Sequence, residues 1–231
     1  MLASMLLGAI AMAGCSHGAP VAPRQVSFPT ADGGTVFADL YGEGRDALVL
    51  AHGAAFNKES WRGFALDLAG RGFLVMAIDF RGYGQSKAGS AGRDGLFEDI
   101  LAAARHLRER GARRVAALGA SMGGSAVAQA AAAAPSGMFD RLVLLSPAPI
   151  AHPERIKGAT LLIASEDEPD ARRMAAEYER MPDPKQLVLL PGTAHAQHIL
   201  KTDQAPRVVT SVASFLSPVT ARSVPRAPPA P

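Results

Sequence analysis

Three kinds of polar residue stand at the ends of apolar runs in this chain, and together they could carry out acyl transfer. The first is a serine, in Gly119-Ala120-Ser121-Met122-Gly123 followed by Gly124. This is G-x-S-x-G between a strand-like run and a helical stretch. A nucleophile on so sharp a turn has a strained backbone and pushes its hydroxyl into a cleft. The flanking positions must be glycine or nearly so, because side chains there would collide with the adjoining strand and helix. A helix starting at Ser121 also turns its first N–H groups toward any negative charge that develops beside it. A capping serine in a glycine-rich turn would share the pattern; the strand-to-helix setting favours the nucleophile.

A serine hydroxyl needs a base, and the chain has six histidines. His17 lies near the N-terminus, His106 in a charge-rich helical stretch where solvation is expected, and His152 in a connection. His195 ends Pro191-Gly192-Thr193-Ala194-His195, just past the last apolar run, and is the expected base. His198, three residues on, is its rival. The base in turn needs a carboxylate to hold its tautomer and stabilise the imidazolium. Ala164-Ser165-Glu166-Asp167-Glu168 closes another apolar run. Glu166 comes too early in the turn. Spacing from the strand end favours Glu168 and side-chain frequency favours Asp167, so the acid is one of these two.

Such residues need a scaffold that brings distant segments to one place. Continuous apolar runs occur at 46–52, 73–80, 113–120, 141–147, 159–165 and 185–192, as expected for strands buried on both faces. Helical stretches fall at Ser60–Gly70, Asp94–Arg110, Met122–Ala134, Asp170–Met181 and Ala205–Leu216, with Pro135 stopping the third. Alternation of this kind predicts an α/β fold, a three-layer sandwich whose mostly parallel central sheet carries helices on both faces. Residues 26–41 add one or two antiparallel strands at an edge. Ligands of open sheets bind beyond the carboxyl ends of the strands, where Ser121, the 166–168 carboxylates and His195 all fall.

Composition narrows the classes further. Of 231 residues, 48% are hydrophobic and 19% charged, which excludes a disordered chain. No apolar run reaches the ~18 residues of a spanning helix. A single cysteine excludes an internal disulfide, and no metal-ligand set or phosphate loop is present, so no cofactor is expected. The net charge of +3 resides in Arg24, Arg222 and Arg226, while the 21 acidic residues between Asp32 and Asp203 balance the remaining basic ones. No electrostatic footprint for nucleic acid results.

The two ends read differently from the middle. Residues 1–14 are uncharged and rich in Ala, Leu and Met, as in the apolar part of an export signal. Met12-Ala13-Gly14-Cys15 resembles a bacterial lipoprotein signal, in which cleavage before the cysteine frees it for lipid attachment. That resemblance implies lipidation at Cys15, a tether over 15–25, a membrane anchor without a spanning helix, and residence in the bacterial cell envelope. The alternatives are a plain secretory signal, giving a periplasmic or secreted protein, and a short buried helix with an incidental cysteine. Residues 218–231 are rich in proline and are expected to be disordered. The domain is thus expected to run from 26 to 217.

The chain order Ser, acid, His resembles the α/β-hydrolases over roughly 26–216. Three further segments carry the likeness: Leu50-Ala51-His52-Gly53-Ala54, Asp79-Phe80-Arg81-Gly82-Tyr83-Gly84-Gln85-Ser86, and Pro191–His195. The resemblance implies an oxyanion hole from the N–H groups of Ala54 (Ala55 as fallback) and Met122. It implies a structural role for His52, and for Asp79 and Arg81 as local hydrogen-bonding partners. Phe56–Trp61 is expected to line the cleft, with Trp61 as a packing anchor. Many members insert a cap after the sixth strand, but Ala148–Gly158 is only eleven residues. No cap domain is therefore expected, and the cleft should be open. The function implied is a serine hydrolase acting on small or exposed acyl esters, carboxylesterase-like. Peptidase, thioesterase, dienelactone-type hydrolase, acyltransferase and a non-catalytic surface-anchored binding module are the alternatives. The dienelactone-type relatives commonly use cysteine where this chain has Ser121.

Overall fold

The computed structural model describes residues 22–217. The signal-like segment, Cys15, His17 and the 218–231 tail lie outside them. Strands β1 (Arg24–Pro29) and β2 (Thr35–Tyr41) form a hairpin. Six more strands follow: β3 (Asp46–Ala51), β4 (Leu74–Asp79), β5 (Arg114–Ala120), β6 (Arg141–Leu145), β7 (Ala159–Ser165) and β8 (Lys185–Leu190). They make one sheet in the order β1-β2-β4-β3-β5-β6-β7-β8, in which β2 runs antiparallel to both neighbours and β3 to β8 pair in parallel. The carboxyl ends of β3 to β8 therefore share one rim. The first strand begins inside the stretch read as tether. Arg24 and Gln25 pair with Leu40 and Asp39, because ladder pairing at a sheet edge uses backbone groups and needs no apolar signal.

Helices α1 (Arg62–Gly70) and α5 (Ala205–Leu216) cover one face, and α2 (Leu96–Glu109), α3 (Met122–Ala133) and α4 (Ala171–Arg180) the other. Alternation along the strands divides the core in two. Val49, Met76, Val115 and Leu144 face α2 to α4; Leu48, Leu50, Val75 and Leu118 face α1 and α5. Each central strand is apolar on both sides because both faces are covered. Helix α3 is nearly all glycine and alanine on its buried side, which lets its backbone lie close to β5. This is the α/β-hydrolase fold. The β6–β7 connection holds only one short turn, Pro153–Arg155, so no cap stands over the rim there. Among the described residues, no helix is long and apolar enough to cross a membrane.

Three readings change. His106 is not solvated: its ring stacks on Phe28 with centroids 4.7 Å apart, and Nε2 is buried without a hydrogen-bond partner. The hairpin lays Phe28 across α2, which the helix pattern alone does not encode. Lys58 does not line the cleft but turns inward, with Nζ 3.6 Å from Asp79 and 3.8 Å from Asp39. Arg81 is not a local partner. Its buried guanidinium grips Asp32 through Nη1 (2.7 Å) and Nη2 (3.0 Å), and Asp99 through Nε (3.0 Å) and Nη2 (2.8 Å). A buried cation with five donors must find acceptors wherever the fold supplies them. Trp61 is fully buried beside Phe64, as expected of a packing anchor.

Candidate active site

Ser121 sits between β5 and α3 with φ 49° and ψ −114°, a conformation that L residues rarely adopt. The glycines around it are required by contact. A Cβ at Gly119 would run into the Gly123 carbonyl, one at Gly123 into the Ala51 carbonyl oxygen, and one at Gly124 would lie 2.8 Å from Pro147 Cβ. Hydrogen bonds over-determine the turn: Ser121 N–H donates to Leu145 (3.0 Å), and Ala148 N–H donates to the Ser121 carbonyl (2.9 Å). The strained backbone is thus held from both sides.

His195 lies 74 residues later in the loop after β8, with Nε2 2.9 Å from Ser121 Oγ. Its Nδ1 is 2.6 Å from Glu168 Oε2. A carboxylate only accepts, so Nδ1 carries the proton and Nε2 is left to accept from the Ser121 hydroxyl. Glu168 is 3% exposed, and its other oxygen, Oε1, accepts from Ser146 Oγ (2.7 Å) and from Ser165 N–H (2.9 Å). Asp167 and Glu166 point to solvent, and the Asp167 N–H serves only to tie the turn to Gly192. Of the two candidate acids, then, Glu168 meets the histidine and Asp167 does not. No sequence motif singles out Ser146. Its signal was its place, a polar residue at the end of a buried strand on the same rim.

Backbone strain marks the same cluster. Among the described residues, the non-glycine residues at positive φ are Ser121 (49°), Ser146 (40°) and Ala196 (52°). One is the candidate nucleophile, one holds the candidate acid and one follows the candidate base. Strain concentrated this way is found where a fold holds a site against local preference.

The β3–α1 loop completes the arrangement. Gly53 packs beside Ser121: a Cβ there would stand 3.5 Å from Ser121 Cβ. The Gly53 carbonyl accepts from His52 Nδ1 (2.9 Å) and Phe56 N–H (3.0 Å), while His52 Nε2 accepts from Phe80 N–H (3.2 Å). Those partners use both nitrogens of a neutral ring, and burial pushes the His52 pKa below its usual value. His52 is committed to holding the loop. Tyr83 donates to the Ala54 carbonyl at 3.0 Å. Among the turn, loop and cap hydrogen bonds of the described residues, none is donated by the N–H of Ala54 or Met122.

The remaining histidines lie apart from this cluster. His198 faces out with its ring against Phe56, and His152 is exposed beside Glu154. No group of three or more His, Cys, Asp or Glu among the described residues is placed to hold a metal ion. The His195 side chain is 39% exposed, so substrate can reach the cluster directly. Held this way, the residues can pass a proton from a serine hydroxyl to an imidazole whose charge a buried carboxylate would balance.

Residues 42–177 match the family model described as serine aminopeptidase, S33. The chain is 34% identical over 125 residues to a non-heme haloperoxidase of Rhodococcus erythropolis, covering 53% of this chain and 44% of that protein. It is 35% identical over 124 residues to a non-heme chloroperoxidase of Streptomyces lividans, covering 52% and 44%. The matches thus span less than half the length of those relatives. An esterase of Pyrococcus furiosus shares the fold at a TM-score of 0.72, with 16% identity, over 84% of this chain and 90% of that one.

Proposed function

The chain belongs to the serine aminopeptidase S33 family of α/β-hydrolases, and on that premise we propose that it is a serine hydrolase acting on small or exposed acyl esters. The observation that carries this reading is the unbroken contact from Ser121 Oγ through His195 to Glu168, at 2.9 and 2.6 Å. In the proposed reaction, Ser121 Oγ attacks the acyl carbonyl as its proton passes to His195 Nε2. The N–H groups of Ala54 and Met122 hold the oxyanion of the tetrahedral intermediate. Glu168 balances the imidazolium. His195 then returns the proton to the departing alkoxide, leaving an ester on Ser121. Water, deprotonated by the same nitrogen, attacks that ester, and the acid leaves with Ser121 restored. The short β6–β7 connection and the exposed His195 support acyl groups that are small, or that are presented on a larger molecule.

The N-terminal sequence extends the proposal to place: Cys15 would carry lipid and hold the domain on a membrane of the bacterial cell envelope. Metabolic labelling with a fatty-acid analogue, present in wild type and absent in Cys15→Ala, tests this. For the chemistry, the purified protein should hydrolyse a short-chain activated ester and react with a fluorophosphonate probe. Ser121→Ala should lose both, with a rate loss on the order of 10³-fold or more. Labelling retained in that variant refutes the assignment. Matched ester, thioester and amide substrates rank the leaving groups.

A further inference from the structure

The loop that would supply the Ala54 N–H is gripped by a residue that the proposed reaction does not use. Gln197, two positions after His195, is buried. Its Oε1 accepts from Gly53 N–H at 2.7 Å, and its Nε2 donates to Ser60 Oγ at 2.7 Å. Ser60 in turn contacts the Asn57 carbonyl. One amide therefore ties both ends of the 53–60 loop to the segment that carries the base. The task needs an acceptor and a donor on one planar group, which glutamine supplies and a carboxylate or alkyl chain does not.

The backbone between the two side chains is arranged for this. Ala196 is in the left-handed region, φ 52°. On one side of it His195 reaches Ser121; on the other Gln197 reaches Gly53. A strained residue persists where its neighbours are held in place, and here both neighbours are.

Holding Gly53 bears on the oxyanion. The Gly53 carbonyl is fixed by His52 and Phe56, and its N–H by Gln197. A trans peptide is planar, with its carbonyl and the next N–H pointing opposite ways. The direction of the Ala54 N–H therefore follows from how Gly53 is held. Without Gln197, a buried N–H would lose its acceptor and the loop would lose its tie to the histidine segment. We propose that Gln197 is a positioning residue that aims the Ala54 N–H at the developing oxyanion. This proposal rests on the serine-hydrolase reading.

The test compares wild type with Gln197→Leu and Gln197→Glu. It uses steady-state hydrolysis of a short-chain ester, affinity for an alkyl trifluoromethyl ketone that forms a hemiketal oxyanion on the serine, and hydrogen exchange at the Gly53 amide. Losing an oxyanion donor outright lowers kcat by about 10²–10³. A misaimed donor should lower it by about 10- to 100-fold in Gln197→Leu, with KM within about twofold, ketone affinity falling in parallel and Gly53 exchange faster. Gln197→Glu keeps an acceptor for Gly53 but sets a carboxylate against the Gly53 peptide that packs beside Ser121, where it should oppose developing negative charge. Its kcat, relative to wild type, should recover as pH falls and that group protonates. An unchanged kcat, a change confined to KM, or a kcat loss with ketone affinity intact would each overturn the proposal, as would a pH-independent ratio in Gln197→Glu. Gln197→Glu also keeps the test decisive if Gln197→Leu does not fold. A wild type that neither cleaves the ester nor binds the ketone removes the hydrolase reading itself. An active wild type matched by both variants removes only the role of Gln197.

Discussion

Replacing Glu168 by glutamine changes one atom and should remove nearly all activity. Ser165 N–H donates to Glu168 Oε1 at 2.9 Å and, unlike a hydroxyl, cannot turn round to accept. In Glu168→Gln the amide oxygen must therefore take the Oε1 position, where Ser146 also donates. That places the NH₂ group where Oε2 stood, 2.6 Å from His195 Nδ1. It would donate to Nδ1 and move the ring proton to Nε2. The nitrogen facing Ser121 would then donate to the hydroxyl instead of accepting from it. A histidine held in the wrong tautomer lowers kcat by about 10⁴-fold, or about 5.4 kcal/mol at 1.36 kcal/mol per decade. Stability should change by about 1 kcal/mol or less, because Ser146 and Ser165 keep their acceptor at the Oε1 position and the His195 contact survives with its direction reversed. Asp167→Asn, at an exposed position without contact to the ring, should stay within about twofold of wild type. The assay is ester hydrolysis and fluorophosphonate labelling, beside a denaturant titration to show that the variants are folded. A folded Glu168→Gln within tenfold of wild type, or a greater loss in Asp167→Asn, would refute the reasoning.

Ser146→Ala should lower stability by about 2 kcal/mol, the usual worth of a buried hydrogen bond to a charged group, and should lower kcat far less than Glu168→Gln; denaturant midpoints and ester kinetics read both. Gly123→Ala should destabilise by about 3 kcal/mol or more, because its Cβ meets the Ala51 backbone, whereas Gly53→Ala meets its neighbours at 3.5–3.6 Å and should fold normally; melting of the two purified variants tests the contrast. The Arg81 guanidinium, with help from Thr30, holds the Asp32 carboxyl well below the usual carboxylate range. A depressed carboxylate contributes stability above its unfolded pKa, near 4, and loses it as pH falls toward the folded value. Asp32→Asn should therefore be less stable than wild type at pH 7, with the gap closing below about pH 4 in a series of thermal melts. A gap that stays constant with pH would mean that charge is not the cause.

The strand and helix positions were legible because each depends on a short-range property. The buried strands are apolar over five to seven residues, and β7 and α5 fall where the pattern places them, at Ala159–Ser165 and Ala205–Leu216. The sequence pattern starts the β1 edge two residues late, because an edge strand with one solvated face has little apolar pattern to show. His106 looks solvated in the sequence for a related reason: nothing within α2 announces that Phe28, 78 residues earlier, will lie across its ring. Lys58 and Arg81 have partners on β2, on α2 and in the β1–β2 turn, which only the assembled sheet brings near.

Read as a string, the chain already specified a strand-to-helix turn tight enough to need glycine two places on either side of its serine, and a carboxylate pair and a histidine at later strand ends, in an order that suits one rim. Steric contact between near neighbours and the periodicity of apolar residues carry that much, and both are local. The choice between Asp167 and Glu168 was not local. Adjacent side chains in one turn leave in different directions, and the direction that matters depended on Ser146 and the Ser165 N–H receiving one of them. The inward turn of Gln197 likewise exists only once β3 and the loop after β8 stand side by side. Hydrogen bonds between segments 144 residues apart have no signature in either segment alone; their geometry arises when the parallel sheet brings the strand ends together.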